Sequence, residues 1–284
     1  MCSFDFSRVL KIFKQKSHCI KKCSYIQILS ITLIPLYWSF FNFLLLWVYF
    51  VSDRIWLDKL EFREDRFVRE EILNITNGDY FNNYLTKKIG GLAIPFREVI
   101  MDGEVVDIVY SDEFVKLRVK ALNVSENEYR SKMNVCEILS KNNYSTICLW
   151  FGKDTFCQMN LLALLVYLEQ IEYQGKLILN YIDDETFEQI ESNIDVKLGI
   201  YEKIYRDILI SKCKPKELGV LHARAVDLYF DYHSNNGMLA TLIKNNADKS
   251  KSELLCLLLE ESKDYGLSDL QAERLINIYL SGKN

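Results

Sequence analysis

Two short apolar runs on either side of a long apolar helix form the most regular pattern in the chain. Residues Ile147 to Phe151 are apolar without a helical period and precede Gly152, which is typical of a buried strand. Residues Phe156 to Tyr173 are apolar around most of a helical circumference, as in a buried helix. Lys176 to Ile182 form a second apolar run. Two buried strands joined by a crossover helix pair in parallel through a right-handed connection, so the pattern predicts the α/β class.

Shorter patterns on both sides extend this unit into a sheet domain and a helical region. Residues Ile72 to Thr76 alternate as in a strand, which ends in the turn Asn77-Gly78-Asp79. A helix is expected from Tyr80 to Lys88, and a brief strand from Leu92 to Ile94 is expected to stop at Pro95. Further predicted helices are Ser111 to Leu122, Glu126 to Lys141 with a capping box at Ser125, Glu185 to Ser192, Tyr201 to Lys212 and Glu217 to Tyr232. A short strand is predicted at Asp195 to Leu198, and two last helices start at Ser250 and Ser268.

These patterns divide the chain into five consecutive parts. We expect an α/β domain with a parallel, Rossmann-like sheet, a C-terminal helical region and an N-terminal hydrophobic helix. The predicted boundaries are a basic segment at 1–24, a transmembrane helix at 25–51, a linker at 52–70, the α/β domain at 71–195 and the helical region at 196–284.

The predicted transmembrane helix is a run of 27 residues, Tyr25 to Val51, without a single charged side chain. Such a run is long enough to cross a bilayer and too long for the apolar region of a cleavable signal peptide. The basic residues before it favour a cytoplasmic N-terminus, but basic residues also follow it, so the orientation stays open. Five scattered cysteines in the globular part favour a reducing, cytoplasmic compartment for that part.

An alternative explanation of the N-terminal residues carries equal weight. Composition changes abruptly between Phe67 and Glu71, directly before the first predicted strand. The leader would then be upstream sequence read in frame, with the native start near Val68. On this hypothesis the protein is cytoplasmic and has no membrane anchor.

Composition and residue counts exclude several classes of function. A net charge of −4 gives no sign of a general nucleic-acid surface. The eight cysteines show no paired CxxC spacing and are expected to be reduced thiols. None of the three histidines lies between Glu71 and Asp195, which excludes a histidine-based triad or metal centre built inside the α/β part. The sequence identifies no cofactor and no set of metal ligands.

Polar side chains collect where the predicted strands end, which is where open α/β sheets bind ligands. Each of them also has a structural explanation, as a helix cap, a turn residue or one partner of a salt bridge. For Asp154 the N-cap explanation is the stronger one, although a capping residue can also face a cleft. The candidate ligand-binding residues are Asp79, Arg97, Glu98, Asp102, Glu104, Asp154, Gln158 and Asn160.

Three functions remain open from these residues. The first is a binding or regulatory module for a small polar or anionic ligand. The second is a hydrolase or transferase that uses Asp154 or Glu98 as general base, with Mg²⁺ as a candidate ion. The third is a DNA-associated regulator acting through the helical region. We rank it last, because nine acids outnumber seven lysines and arginines from Leu221 to Asn284. A homo-oligomer formed through that region is also open.

Several motifs resemble the bacterial family catalogued as domain of unknown function 1835. They are Asn77-Gly78-Asp79, Pro95-Phe96-Arg97-Glu98 with Asp102-Gly103-Glu104, and the run LWFGKDTFCQMN from Leu149 to Asn160. The similarity covers roughly Glu71 to Asp184, and Tyr265-Gly266-Leu267 is similar to the tails of such proteins. The resemblance implies a soluble bacterial α/β domain that starts near its first strand, so the apolar N-terminal segment departs from the family pattern. It implies no established activity.

Overall fold

The computed structural model describes residues 72–89, 92–141 and 144–281. The predicted transmembrane segment at 25–51, the linker and the alternative start near Val68 lie outside these residues. Within the described ranges, no helix combines the length and the apolar content that crossing a membrane requires.

The centre of the structure is a mixed, mostly parallel five-stranded sheet, which confirms the α/β class. The strand order is β2-β1-β3-β4-β5; the first four strands run parallel, and β5 pairs antiparallel with β4. The prediction of a wholly parallel sheet is therefore corrected at one edge. The strands are β1 Ile72–Asn77, β2 Ala93–Phe96, β3 Thr146–Phe151, β4 Lys176–Ile182 and β5 Gln189–Val196.

Helices surround the sheet and continue beyond it. Those of the α/β part are α1 Asp79–Ile89, α2 Asp112–Leu122, α3 Glu126–Lys132, α4 Asn134–Ser140 and α5 Thr155–Gln170. Those of the helical tail, which here means residues 196–281, are α6 Tyr201–Tyr205, α7 Ala223–Tyr232, α8 Met238–Asn245, α9 Lys251–Glu261 and α10 Asp269–Ser281. A π-helical turn at Arg206–Ile210 follows α6, and a 3₁₀ turn at Lys263–Tyr265 follows α9.

The segment Glu185 to Ser192, predicted as a helix, instead forms a tight turn and the first half of β5. The Asp183 carboxylate accepts from the backbone N–H groups of Glu185 and Thr186, which closes the turn. A connection this short cannot make a parallel crossover, so β5 returns antiparallel. The short strand predicted at Asp195 to Leu198 overlaps only the last two residues of this longer strand, which ends at Val196.

Three other predicted boundaries shift for local reasons. The helix predicted from Glu126 to Lys141 breaks at Met133, whose side chain is buried in the core at the break. The helix predicted from Glu217 starts at Ala223, because a turn at Gly219 (φ +57°) packs against the ring of Tyr201. Pro95 lies inside β2 and does not end it, since β2 is an edge strand whose missing N–H disrupts no neighbour.

Helix α5 is the axis of the core, as the sequence predicts. Its residues from Cys157 to Leu168 are buried on every side, between the sheet and the helical tail. Inward residues of the sheet, such as Leu149, and residues of the last helix, such as Ile276, belong to one continuous hydrophobic cluster. The α/β part and the helical tail therefore share a single core.

The opposite face of the sheet is covered by α1. Phe81 and Leu85 of this helix pack in a second, smaller cluster with Ile182 and Trp150. Since successive strand residues point to opposite faces, α1 and α5 lie on different sides of the sheet. The order β2-β1-β3 reverses direction between β1 and β3, the place where doubly wound sheets open a crevice.

Candidate functional site

A polar cavity of about 410 Å³ lies beyond the carboxyl ends of β3 and β4, where the helical tail covers the sheet edge. We call it the strand-end cleft. Its wall from the α/β part carries Lys153, Asp154 and Asp184. Its wall from the tail carries His222, Arg224 and Lys263. The cleft therefore combines acidic and basic side chains at the sheet edge that binds ligands in this class of fold.

Two carboxyl groups meet at the floor of the cleft. Asp154 is the N-cap of α5, and its Oδ1 accepts from the backbone N–H of Cys157 at 2.9 Å. A Cβ placed on Gly152 would lie 2.0 Å from Oδ2 of Asp184 and 2.7 Å from Oδ2 of Asp154. Because Gly152 has no side chain, Oδ2 of Asp184 and Oδ2 of Asp154 can both occupy this space.

The carboxyl group of Asp184 holds its proton to a higher pH than an ordinary aspartate. Asp184 is exposed as a residue, but its carboxyl group lies against Gly152 and Asp154. Burial of that group, followed by the negative charge of Asp154, raises the pKa of Asp184 to about 8. Asp184 can therefore donate a proton near neutral pH, beside the carboxyl group of Asp154.

The thiol of Cys157 lies beside the pair and is fully enclosed. Nδ2 of Asn77 donates to its Sγ at 2.8 Å, and Sγ lies 3.6 Å from Oδ2 of Asp184. Burial raises the pKa of this thiol well above its ordinary value, with further contributions from Asp154 and Asp184. A thiol that keeps its proton is a poor nucleophile, so Cys157 acts as a buried donor.

The same three side chains come closest to a metal-binding arrangement among the residues that the structure describes. One donor atom from each of Asp154, Cys157 and Asp184 lies within 4.8 Å of the other two. Thiolate is the form of cysteine that binds metals, and this thiol stays protonated. Without a cation, burial and the neighbouring carboxyl groups favour the protonated thiol. A divalent ion bound to all three groups would favour the thiolate instead.

The helical tail closes the cleft by direct contact with Asp154. Gly266, at φ +67°, follows the 3₁₀ turn, and a Cβ there would lie 2.0 Å from Oδ1 of Asp154. Thr155 Oγ1 donates to the backbone carbonyl of Asp264 at 3.2 Å. The first turn of α5 is thus covered by protein.

The basic side chains of the cleft are paired with acids on its outer rim. Lys153 pairs with Glu191, Arg224 with Asp264 at 2.6 Å, and Lys263 with Glu185 at 3.0 Å. These pairs are largely exposed, and exposed pairs contribute little to stability. They can exchange partners with a ligand at small cost.

The predicted residues Asp79 and Arg97 form an exposed pair at the end of β1. The guanidinium of Arg97 reaches both carboxylate oxygens, at 2.7 to 3.0 Å. Its hydrogen bond and its charge hold the pKa of Asp79 below the ordinary value. Arg97 also donates to the backbone carbonyl of Lys132 at 3.2 Å, which ties β2 to α3.

Glu98 lies in the interior and does not reach the strand-end cleft. Its carboxylate pairs with Arg118 at 2.8 Å, and both side chains are almost completely inaccessible to solvent. Tyr129 donates to its second oxygen, and the backbone N–H of Val99 donates to the first. The prediction that Glu98 acts as a general base at the rim is therefore corrected: its lone pairs bind the buried cation and a phenol.

Asp102 and Glu104 also lie away from the cleft. The buried carboxylate of Asp102 accepts from Tyr232 at 2.7 Å and from Arg274 at 3.1 Å, so it anchors α7 and α10 to the α/β part. Its backbone carbonyl accepts from Arg118. Glu104 is exposed on the loop that follows. Neither residue shares a wall with Asp154.

Gln158 and Asn160 are buried, and they position the cleft from within. Gln158 donates to the carbonyl of Gly152 at 2.7 Å and accepts from the backbone N–H of His222 at 3.0 Å. Asn160 donates to Asn77 at 2.9 Å and accepts from the backbone N–H of Ile100 at 3.2 Å. These hydrogen bonds connect β1, β3 and the tail. Both side-chain amides are therefore already occupied by contacts within the protein.

Of the eight predicted residues, the structure thus brings only Asp154 to the surface of the cleft. Asp184 was expected at this edge, after the predicted strand from Lys176 to Ile182, but was not among the eight candidates. The missed residues are three members of the tail, His222, Arg224 and Lys263. The sequence does indicate the position of Asp184, because this residue follows a buried strand. The tail residues have no such signal, since their approach depends on contacts more than a hundred residues apart, such as that from Thr155 to Asp264.

A larger groove of about 770 Å³ lies at the opposite edge of the sheet. Its most polar feature, the carboxylate of Glu169, accepts from the backbone N–H groups of Gly199, Ile200, Tyr201 and Glu202 at 2.5 to 2.9 Å. That carboxylate caps the start of α6. The groove therefore has a structural explanation.

Comparison of the chain with models of protein families, with curated proteins and with solved structures found no match. The resemblance to domain of unknown function 1835 stays a prediction from the motifs.

Proposed function

We propose that the protein binds a small polar ligand in the strand-end cleft. The observation that carries this proposal is the position of the cleft, at the carboxyl ends of β3 and β4 under the helical tail. Doubly wound, Rossmann-like sheets bind ligands at this edge, because strand ends and helix starts converge there. A cavity of about 410 Å³ has the size of sites for small molecules.

The charges of the cleft narrow the chemistry of the ligand. Lys153, Arg224 and Lys263 supply three cations, but the acids that line the same cavity outnumber them: Asp154, Asp183, Asp184, Glu185 and Asp264. A wholly anionic ligand would therefore meet net repulsion. The ligand that fits carries one anionic group for the basic rim and a hydroxyl or amino group for the carboxyl pair.

A thermal-shift screen of the full chain tests this proposal. The probes are amino acids, sugar phosphates and nucleoside monophosphates, each of which has an anionic group and a hydroxyl or amino donor. A compound that binds the folded state raises the melting temperature by mass action. A hit that belongs to the cleft should lose about tenfold in affinity in Lys263→Gln, since that change removes one charge-assisted contact.

The matched control is Lys251→Gln, because Lys251 forms a similar exposed pair with Glu273 on α10. It should leave the affinity unchanged. Equal losses in both variants would place the ligand elsewhere, and the absence of any stabilising probe across the three classes would count against the proposal.

A second candidate function is acid–base catalysis on that ligand. The observation that favours it is the carboxyl pair, in which the raised pKa of Asp184, about 8, keeps one proton available at neutral pH. Pairs of carboxyls whose environments separate their pKa values are the usual source of a general acid and a general base. In this hydrolase or transferase, Asp154 accepts a proton and Asp184 donates one.

Replacement of Asp184 by Asn removes the donor while keeping the shape of the side chain. Turnover of a substrate found in the screen should then fall by a factor of about 10² to 10⁴. Asp112→Asn is the control, since Asp112 forms an exposed pair with Arg130 and does not line the cleft. Unchanged turnover in Asp184→Asn would rule out the catalytic role and leave ligand binding intact.

A further inference from the structure

The carboxyl pair is enclosed by two glycines from distant parts of the chain. On one side, Gly152 at the end of β3 leaves no room for a Cβ beside Oδ2 of either carboxyl group. On the other side, Gly266 of the tail approaches Oδ1 of Asp154 so closely that a Cβ would lie 2.0 Å away. Backbone therefore limits how far the two carboxyl groups can separate.

Between about pH 7 and pH 9, the proton of this pair is the one that the cleft loses. Burial and Lys153 hold the pKa of His222 below its ordinary value, so the imidazole is already neutral. Burial raises the pKa of Cys157, and Glu185 raises that of Lys263, so both keep their protons. The other charged groups that face the pair are Lys153 between β3 and α5, Glu191 on β5, Asp183 in the turn before β5, and Arg224 and Asp264 on the tail.

We propose that the Asp154–Asp184 pair is a proton-operated latch that opens the strand-end cleft. With one proton shared, the two carboxyl groups attract each other and the tail turn of residues 263–266 rests on Asp154. When the proton leaves to water, two negative charges face each other and the tail turn moves off the start of α5. This inference concerns regulation of the cleft, and it rests on the proposed function for naming the cleft as the ligand site. It applies to the binding function and not to the catalytic candidate, in which Asp184 must keep its proton while the ligand is bound.

The geometry explains why the tail responds. Ionised carboxylates offer only acceptors, so the bond inside the pair is lost together with the proton. The oxygens lie within 4.8 Å of one another, in a partly buried place where repulsion is weakly screened. Asp154 cannot move toward β3, because the backbone of Gly152 is there. Asp184 is exposed and can turn toward solvent, but any displacement of Asp154 is directed toward Gly266, which lies on a short turn.

Hydrogen exchange of the full chain without ligand tests the latch. The backbone N–H groups of Tyr265 and Gly266 donate to Ser262 at 2.9 Å and to Lys263 at 3.1 Å, so their exchange reports the turn. We expect protection of the peptide 262–268, corrected for intrinsic exchange, to fall about tenfold between pH 6.5 and pH 9. In Asp184→Asn the protection should stay within about twofold over the same range.

Two further variants keep the test decisive. Asp112→Asn should behave like the unmodified chain, because Asp112 forms an exposed pair with Arg130 and does not line the cleft. Asp154→Asn keeps a side chain that caps a helix equally well, so it replaces Asp184→Asn should that variant fail to fold. Constant protection in the unmodified chain, or an equal loss in Asp184→Asn, overturns the latch. Since no ligand is present, this result is independent of whether a ligand binds.

Discussion

The guanidinium of Arg118 binds the carboxylate of Glu98 at 2.8 Å, and neither side chain has appreciable contact with solvent. Arg118 also donates to the backbone carbonyls of Val99 and Asp102. The carboxylate of Asp102 in turn accepts from Tyr232 and Arg274 of the tail. One buried network thus connects the loop after β2 with helices of both parts of the chain.

Removing one partner of the buried pair should destabilise the protein strongly. In Arg118→Met the carboxylate of Glu98 stays buried without its cation, which costs about 3 to 5 kcal/mol. Urea unfolding followed by circular dichroism measures the change. The double variant Glu98→Gln with Arg118→Met should recover part of the loss, because no charge is left unpaired. If Arg118→Met lowered the free energy of unfolding by less than about 1 kcal/mol, the pair would not be desolvated in solution.

The carboxyl pair of the cleft predicts how stability depends on pH. The pKa of Asp184 is about 8 in the folded protein and near 3.8 without its surroundings, so the folded state holds this proton more tightly. Its contribution is present below about pH 4 and is lost as the pH rises through about 8. The resulting decrease in the free energy of unfolding is about 1 to 3 kcal/mol, a range that allows for the partial exposure of Asp184.

Unfolding of the unmodified chain and of Asp184→Asn, measured from pH 4 to pH 9, checks this dependence. The free energy of unfolding of Asp184→Asn should not decline in this way, so the variant should become more stable relative to the unmodified chain as the pH rises. Asp183→Asn gives a contrast of opposite sign. Hydrogen bonds from Thr186 lower the pKa of Asp183 in the folded state, so the contribution of Asp183 is lost as the pH falls. Parallel curves for the unmodified chain and Asp184→Asn would contradict the shared proton.

The approach of Gly266 to Asp154 predicts an unusually costly alanine substitution. Gly266→Ala introduces a Cβ 2.0 Å from a carboxylate oxygen and adds the strain of a positive φ. Gly78→Ala is the matched control, because Gly78 also has a positive φ, +80°, but no atom within 4 Å of the added Cβ.

Strain alone should cost Gly78→Ala about 1 kcal/mol. Gly266→Ala should cost about 1 to 3 kcal/mol more, as for overpacking at other crowded sites. The difference between the two variants in thermal or urea unfolding isolates the contact with Asp154. Equal losses would mean that the tail turn does not press on the start of α5.

The amide of Asn160 predicts coupling between the first strand and the loop after β2. In Asn160→Leu the buried N–H of Ile100 loses its acceptor and the amide oxygen of Asn77 loses its donor. We expect a loss of about 1 to 3 kcal/mol. Asn246→Leu serves as a control, because Asn246 is only partly buried and its amide bonds locally to the carbonyl of Leu242.

Strongly apolar segments were predictable from the sequence because burial leaves a periodic signature. Strand β4 has the predicted bounds, and β1 and β3 differ by one residue at an end. Strand β5 was missed because its residues from Gln189 to Asn193 are exposed and largely polar, so no apolar alternation marks them. Its antiparallel direction follows from a turn held by Asp183, which the pattern does not reveal.

The candidate site was predictable only in part, for a physical reason. Strand ends can be located from sequence, which placed Asp154 correctly at the edge of the sheet. Which polar side chains turn inward depends on their partners: Glu98 is buried because Arg118, twenty residues away, lies opposite it. The basic wall of the cleft comes from the tail, whose approach is decided by packing of the whole core.

The shared proton of Asp154 and Asp184 is the central claim, and a titration of carboxyl carbons measures it directly. The full chain is labelled at the aspartate carboxyl carbons and followed by nuclear magnetic resonance, with Asp184→Asn to assign the resonance. We predict that the Asp184 carboxyl titrates near pH 8, several units above an ordinary aspartate. A midpoint below about pH 5 would contradict the shared proton and the latch built on it.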